Sequence, residues 1–454
     1  MEEVKRAWLT VDCAASDMRI VQHHYRTRRE PLMTPFGFKG RFVRELWQPH
    51  VHLQDESGRS AVGMGVQSPL WCDAAMFARL GETESNDWME RLTRYALTAA
   101  AELEFKHPLD LMDQLVPIVY RHAADRLGHD RISRTFVLNA VTCIDHAAWS
   151  LYAQSCGEVS LFRLVPDPWK GGLPHRHSAT ASIPVIPYGM TGGEIAKLLE
   201  AGYFVLKIKL GSDPEGDGDP VKMLEWDQAR LAQIHELANR YEAQGHADNS
   251  IVYYLDANGR YDRKERLLRL LEHAQSIGAW DRLVLFEEPL PETNQEDLRD
   301  IPVRFAADER VHSEQDALIC LQQGYRAFAL KPVAKTMSFS LQIARLAAEH
   351  QAPCFCADLT ASPVLVDWTK LLSGHLAPLP GFRGGLTETN GAQNYKRWAE
   401  MRSEHPMRGA SWTQARQGSF ELSERFYACS GGALLHGDGS SVTDKSTYGK
   451  EGQP

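Results

Sequence analysis

No stretch of the chain runs to the roughly 18 consecutive apolar side chains of a membrane-spanning helix. The opening MEEVKRAWLTVD also has no apolar core of the kind a secretory leader carries. A soluble, cytoplasmic protein is expected. Cysteine is sparse, with eight residues in 454, at positions 13, 72, 143, 156, 320, 354, 356 and 429. They form no zinc-type double CxxC and are too few for a disulfide scaffold, so reduced thiols are expected. Long runs of lysine and arginine are missing too. With 50 basic against 59 acidic residues the formal charge is −9, which argues against nucleic acid or an anionic membrane and leaves a small molecule as the expected partner. What is present, 43% hydrophobic and 24% charged residues, is normal for a globular protein long enough for one large domain and a smaller companion.

The organisation changes along the chain. From Val43 to Gln67, two extended runs flank the turn-rich DESGRS, the pattern of an antiparallel hairpin. The stretches NDWMERLTRYALTAAAELE and SRTFVLNAVTCIDHAAWSLYAQ then repeat apolar residues at helical steps. Residues 1–178 therefore read as a small α+β domain, ending at the LPHRHSAT linker. Short apolar runs follow, each before a helical stretch: ASIPVIPYG, YFVLKIKLG, SIVYYLDANG, RLVLFEEPL, VRFAADER, YRAFALKPV and APCFCADLT, with an eighth near GFRGGLTETNG. Helix starts are signalled at Asp219 before Pro220, at Asp262 with Glu265, at Thr293 with Glu296 and at Ser313 with Asp316. Eight such units, with no glycine-rich dinucleotide fingerprint, predict an α/β protein whose residues 179–400 form a closed (β/α) barrel. Residues 401–454 are read as a return segment and a flexible tail.

Lys207, Lys209, Asp256, Glu287, Asp308 and Lys331 all fall where an apolar strand ends, the face on which such barrels gather catalytic groups. Asp256, Glu287 and Asp308 stand on consecutive strands and can converge on one ion. Three carboxylates suit a hard cation, so magnesium is expected, with manganese as a substitute. A single acid at a strand end is as readily a helix cap or a solvated group, but three in register make that bland reading weak. Lys207 and Lys209 are two apart and share a strand face. Crowding between ammonium groups beside a cation lowers a lysine pKa toward the range of a working base. The alternative, an ordinary exposed pair, fits poorly with carboxylates on the neighbouring strands.

The motifs KIK, LDANG, FEEP, ADER and ALKP, in this order on successive strands, resemble the enolase superfamily, and within it the muconate lactonizing enzyme-like branch. The resemblance covers nearly the whole chain, including the CIDHAAWSL helix before the barrel. It implies a modified (β/α) TIM-type barrel under an N-terminal α+β capping domain. It further implies that Asp256, Glu287 and Asp308 bind Mg2+, and that Lys209 and Lys331 face opposite sides of a substrate α-carbon. Lys207 would tune Lys209, while Asn258, Glu288 and Glu309 would orient the ligands. The expected chemistry is removal of the α-proton of a carboxylate substrate to give an enediolate whose second charge a cation offsets. Racemization or epimerization of an amino-acid derivative or dipeptide leads, with β-elimination and cycloisomerization as alternatives. The family also implies a homo-oligomer. The histidine base of the mandelate racemase branch is not matched, since Lys331 occupies the sixth strand. The dipeptide epimerases' Asp-x-Asp pair near the eighth strand is absent too, leaving Glu388, and Asp358 in ADLTASP, as substrate contacts.

The segment QHHYRTRREPLMTPFGFKG, with His23, His24, Arg26, Arg28 and Arg29, lies where the family's cap drops a specificity loop over the barrel mouth. Arg26 or Arg28 could clamp a distal carboxylate there, and a solvated basic turn is an equal reading. Gly63 to Gln67 is either a second cap loop or a plain strand. Cys354 and Cys356 are expected to pack in the barrel, and His175 and His177 to sit in the linker. A metal-free Schiff-base aldolase acting through Lys331 leaves the carboxylates without a role, and a non-catalytic binding protein would have no use for the lysines.

Overall fold

The computed structural model describes residues 17–38, 40–128, 132–243 and 245–434. The opening dodecapeptide, Cys13 and the tail that begins at Gly437 lie outside the described residues. The expected hairpin forms from β2 (Arg41–Asp55) and β3 (Ser60–Met64). Asp55 holds its turn, with Oδ1 accepting the amides of Ser57 at 3.0 Å and Arg59 at 2.9 Å. The stretch expected as a loop is instead a strand. β1 (Met18–Phe38) runs antiparallel to β2, pairing His24 with His52 and Arg28 with Gln48. The two-stranded ribbon satisfies its backbone groups through β2. The segment between β2 and the helices is a plain strand as far as Met64. β4 (Glu104–Phe105) pairs with the start of β1 and completes the sheet. Helices Ala74–Ala101, Pro108–Leu127 and Arg134–Cys156 accompany it.

The barrel begins with β5 (Ala179–Ile183) and β6 (Val185–Ile186), two halves of one run interrupted at Pro184. Proline has no amide hydrogen to donate, but its carbonyl accepts the Lys207 amide at 3.2 Å. Then come β7 (Val205–Lys209), β8 (Val252–Asp256), β9 (Leu283–Glu287), β10 (Phe305–Ala307), β11 (Tyr325–Leu330), β12 (Cys354–Cys356) and β13 (Gly385–Glu388). Each pairs in parallel with the next, β13 pairs with β5, and β6 pairs with β7. The two ends of the sheet are thus contiguous through Pro184, and it curls into the expected barrel. β14 (Ser419–Glu421) lies antiparallel on β5.

Asp219 and Ser313 cap their helices as expected, accepting the amides of Val221 at 2.8 Å and Asp316 at 3.2 Å. Two other start signals need correction. The helix Lys264–Ser276 is preceded by Arg263, and Asp262 instead pairs with Arg266 at 2.7 Å. The crossover from β9 to β10 contains no helix. Asn294 takes the amide of Glu296 at 2.8 Å, so a side-chain turn competes successfully with helix nucleation there. Glu296 meanwhile accepts the Lys264 amide at 3.1 Å, capping the neighbouring helix.

Cys72, Cys143, Cys320, Cys354, Cys356 and Cys429 are free. Cys156 is disulfide-bonded, against the expectation of reduced thiols throughout. It lies partly exposed at the end of its helix, whereas the free ones other than Cys429 are buried. Among the described residues, no helix is long and apolar enough to cross a membrane.

Candidate active site

Side-chain alternation turns Lys207 and Lys209 to one side of β7 and Leu206 and Ile208 to the other. Lys207 is fully enclosed among acids. Its Nζ lies 2.8 Å from Glu287 Oε2, 2.9 Å from Asp256 Oδ2 and 2.9 Å from Glu388 Oε2. Lys209 Nζ lies 2.6 Å from Asp256 Oδ2 and 2.7 Å from Asn258 Oδ1. Burial pushes the Lys207 ammonium down, but Asp256, Glu287 and Glu388 outweigh it and hold its pKa well above the ordinary lysine value. Asp256 is buried, which raises its pKa, yet Lys207 and Lys209 hold it below the usual carboxylate range.

Glu287, Asp308 and Glu309 each place one oxygen so that all lie within 4.8 Å of one another, and all three residues are buried. Glu287 Oε1 and Glu309 Oε2 have no hydrogen-bond partner. Burying carboxylates without compensation is costly, and burial raises the Asp308 pKa despite Lys331 and Lys335. Such a set of orphaned oxygens fits a hard divalent cation. Asp256 is one strand away, its Oδ2 taken by the two lysines and its Oδ1 by the Asn258 amide at 3.1 Å. Asn258 Nδ2 donates to Glu309 at 2.8 Å, which links that strand to the cluster. Glu288 accepts the Asp308 amide at 2.8 Å and Arg310 Nε at 2.9 Å. Burial, partly opposed by Arg310, pushes its carboxyl up to about 7.

Lys331 follows the last residue of β11, four strands from Lys209 and so across the barrel. Its Nζ is 2.5 Å from Asp308 Oδ2 and 3.9 Å from the centroid of the Trp71 ring. Burial lowers its pKa, but Asp308, Glu287 and Glu309 prevail and raise it above the lysine norm. Lys335, one helical turn on, donates to the carbonyls of Asp308 at 2.5 Å and Val311 at 3.0 Å.

Lys209, Lys331, Asp256 and Asn258 line one cleft of about 610 Å³, including its mouth, together with Lys207, Asp358 and Glu388. The opposite wall comes from the N-terminal domain and is apolar, with Leu32, Phe36 and Phe38 of β1 and Leu70 and Trp71 of the short segment after β3. Asp358 accepts the amides of Leu359, Ala361 and Asn390 at 2.8, 3.0 and 2.8 Å. Burial and the neighbouring Glu388 still push its carboxyl up to about 6. Arg26 and Arg28 do not line the cleft. They lie along β1, where Arg28 pairs with Glu30 and, at 2.6 Å, with Glu404. His177 Nε2 donates to Leu376 O, 2.8 Å away, and the ring stacks on His175 in the linker.

Trp71, Lys335 and Tyr254, whose hydroxyl donates to Glu287, were not singled out from the sequence. Tyr254 stands two residues before Asp256 on β8, the same spacing as the lysine pair. Lys335 stands four after Lys331. Trp71 leaves no such signal, because its contact joins distant parts of the chain.

Residues 192–370 match the family model described as enolase C-terminal domain-like. The chain is 27% identical over 310 residues, 66% of its length and 70% of the relative's, to the L-Lys-D/L-Arg epimerase of Methylococcus capsulatus. Its fold is similar to that of a mandelate racemase/muconate lactonizing protein from Herpetosiphon aurantiacus, with a TM-score of 0.62 and 17% identity, covering 89% of this chain and 96% of that one. It is similar also to a dipeptide epimerase from Enterococcus faecalis complexed with Mg and L-Leu-L-Tyr, with a TM-score of 0.61 and 17% identity, covering 89% of this chain and 98% of that one. The barrel is thus matched by the enolase C-terminal domain-like family over residues 192–370, and the capped fold is shared with solved mandelate racemase/muconate lactonizing proteins.

Proposed function

We propose that the protein racemizes or epimerizes an amino-acid derivative or dipeptide by moving the α-proton of a carboxylate substrate between Lys209 and Lys331. The observation that carries this reading is the placing of those two lysines, four strands apart, in one cleft with a buried carboxylate cluster beside them. A proton removed by one lysine as a free amine and returned by the other as an ammonium inverts the carbon between them. In one direction Lys209 removes the proton and Lys331 returns it. In the opposite direction the roles exchange.

Glu287 and Asp308, with Asp256 and Glu309 at their sides, would hold Mg2+, which supplies the positive charge that makes a carboxylate's α-proton acidic enough to remove. Lys207 keeps Asp256, Glu287 and Glu388 together through its three ion pairs. Asn258 orients Glu309, and Glu288 orients the backbone at Asp308. Asp358 and Glu388 face the cleft from the seventh and eighth strands and suit a substrate ammonium or amide, while the apolar wall suits an uncharged side chain. The epimerase names of the relatives point the same way.

The test is proton NMR of the purified protein with Mg2+ in heavy water, against pooled dipeptides and N-acylamino acids. Loss of an α-proton signal that stops on adding a chelator supports the reading. A product with a new double bond or ring, instead of a deuterated substrate, would move the assignment to elimination or cycloisomerization.

A further inference from the structure

The helix Arg134–Cys156 is buried from Thr135 to Ala153, so its polar side chains must find partners inside the protein. Asn139 and His146 lie seven residues apart on it, two turns, and face the same way. Asn139 Oδ1 accepts the Ser68 amide at 3.1 Å, and its Nδ2 donates to Val66 O at 2.9 Å and Ala334 O at 3.3 Å. The His146 ring has Met64 O 2.8 Å from Nδ1 and Pro332 O 3.1 Å from Nε2. Asn139 therefore bridges two pieces of chain. The His146 ring, kept neutral by burial with its pKa lowered to about 4, donates to one of the two carbonyls and lies between the same two pieces. One, residues 64–68, leads into Leu70 and Trp71 at the cleft. The other, residues 332–334, is the turn directly after Lys331.

The surroundings leave this bridge little freedom. Gly63 lets β3 lie directly on the helix, since a Cβ there would stand 1.9 Å from Cys143 O. The His146 ring is stacked on Trp368, with centroids 4.2 Å apart and planes 4° from parallel. Asp145 Oδ2 accepts the amides of Met337 at 2.7 Å and Ser338 at 3.1 Å, which fixes the far end of the same turn. None of these helix residues lines the cleft.

We propose that His146 and Asn139 are positioning residues that lock the turn after Lys331 to the cap, holding the Lys331 amine under Trp71 and at one face of the substrate. The clamp stands on its own geometry, and its catalytic consequence rests on the two-base reading above.

Backbone amide exchange of the full chain, followed by mass spectrometry, reads the clamp without turnover. In His146→Ala and Asn139→Ala, peptides covering 62–70 and 331–338 are expected to exchange at least several-fold faster together, with β7 to β9 unchanged. His146→Gln keeps a side-chain donor and is expected to restore part of the protection. In α-deuteration of the separate enantiomers, the same variants should lose roughly 10- to 100-fold on the face served by Lys331 and little on the Lys209 face, as expected for a displaced base. Unchanged amide exchange at 331–338, or equal losses on both faces, overturns the proposal. Should His146→Ala fail to fold, Asn139→Ala and His146→Gln carry the same comparison. A wild-type chain that deuterates no substrate would sink the two-base reading, while the amide exchange would still decide the clamp.

Discussion

The ring of Trp71 lies 3.9 Å from the Lys331 ammonium, so a residue of the N-terminal domain touches a base candidate carried by the barrel. A cation over an indole face gains about 0.5–2 kcal/mol. Trp71→Leu should therefore weaken the placement of Lys331 and slow α-exchange on its face by roughly 2- to 30-fold. Exchange rates of the two substrate enantiomers check this, and an unchanged ratio between them would count against a role for Trp71.

Among the described residues, Lys207 is the only lysine that touches Asp256, Glu287 and Glu388 at once. Lys207→Met leaves Glu287 and Glu388 without this cation and Asp256 with Lys209 alone, and breaking a buried ion pair in this way costs about 3–5 kcal/mol. Urea unfolding of the metal-free protein should show that loss.

On the proposed reading, Mg2+ held by the buried carboxylates would also stabilise the fold. At a hundred times the dissociation constant a ligand contributes about 2.7 kcal/mol, which raises the melting temperature by several degrees in a chain of this size. Thermal denaturation with and without chelator measures the rise. Asp308→Asn should abolish most of it.

His107 gives a pH prediction away from the site. It caps the helix Pro108–Leu127, with Nδ1 accepting the Leu109 amide at 3.1 Å and Nε2 facing Leu164 O at 3.1 Å, the pattern of a neutral ring. Burial holds its pKa down to about 4. The unfolded chain therefore takes up its proton first on acidification. The stability His107 contributes is fully present above pH 6.5 and is lost as pH falls through 4, by about 3 kcal/mol in all. His107→Asn keeps a capping oxygen without titrating there. Urea midpoints at pH 7 and 4.5 should fall less in that variant than in the wild type.

The strand-end lysines and acids were legible because each followed an apolar run whose alternation gave its direction. Glu309 shows where that rule stops. Beyond Ala307 the backbone has left β10, so the adjacent Asp308 and Glu309 both reach the cluster instead of alternating. β1 was illegible as a strand because a two-stranded ribbon exposes polar residues on both faces and shows no clear alternation of burial. The Thr293 and Glu296 signal was real but local, and Asn294 between them diverted the backbone. How closely carboxylates crowd Lys207 and Lys331 is visible only in the folded chain.

The most direct measurement is enantiomer-resolved α-deuteration with Mg2+ for the wild type, Lys209→Ala and Lys331→Ala. Each variant is expected to lose exchange of one enantiomer, and both should lose inversion altogether. Exchange of both enantiomers surviving in both variants would contradict the assignment of these lysines as the two bases.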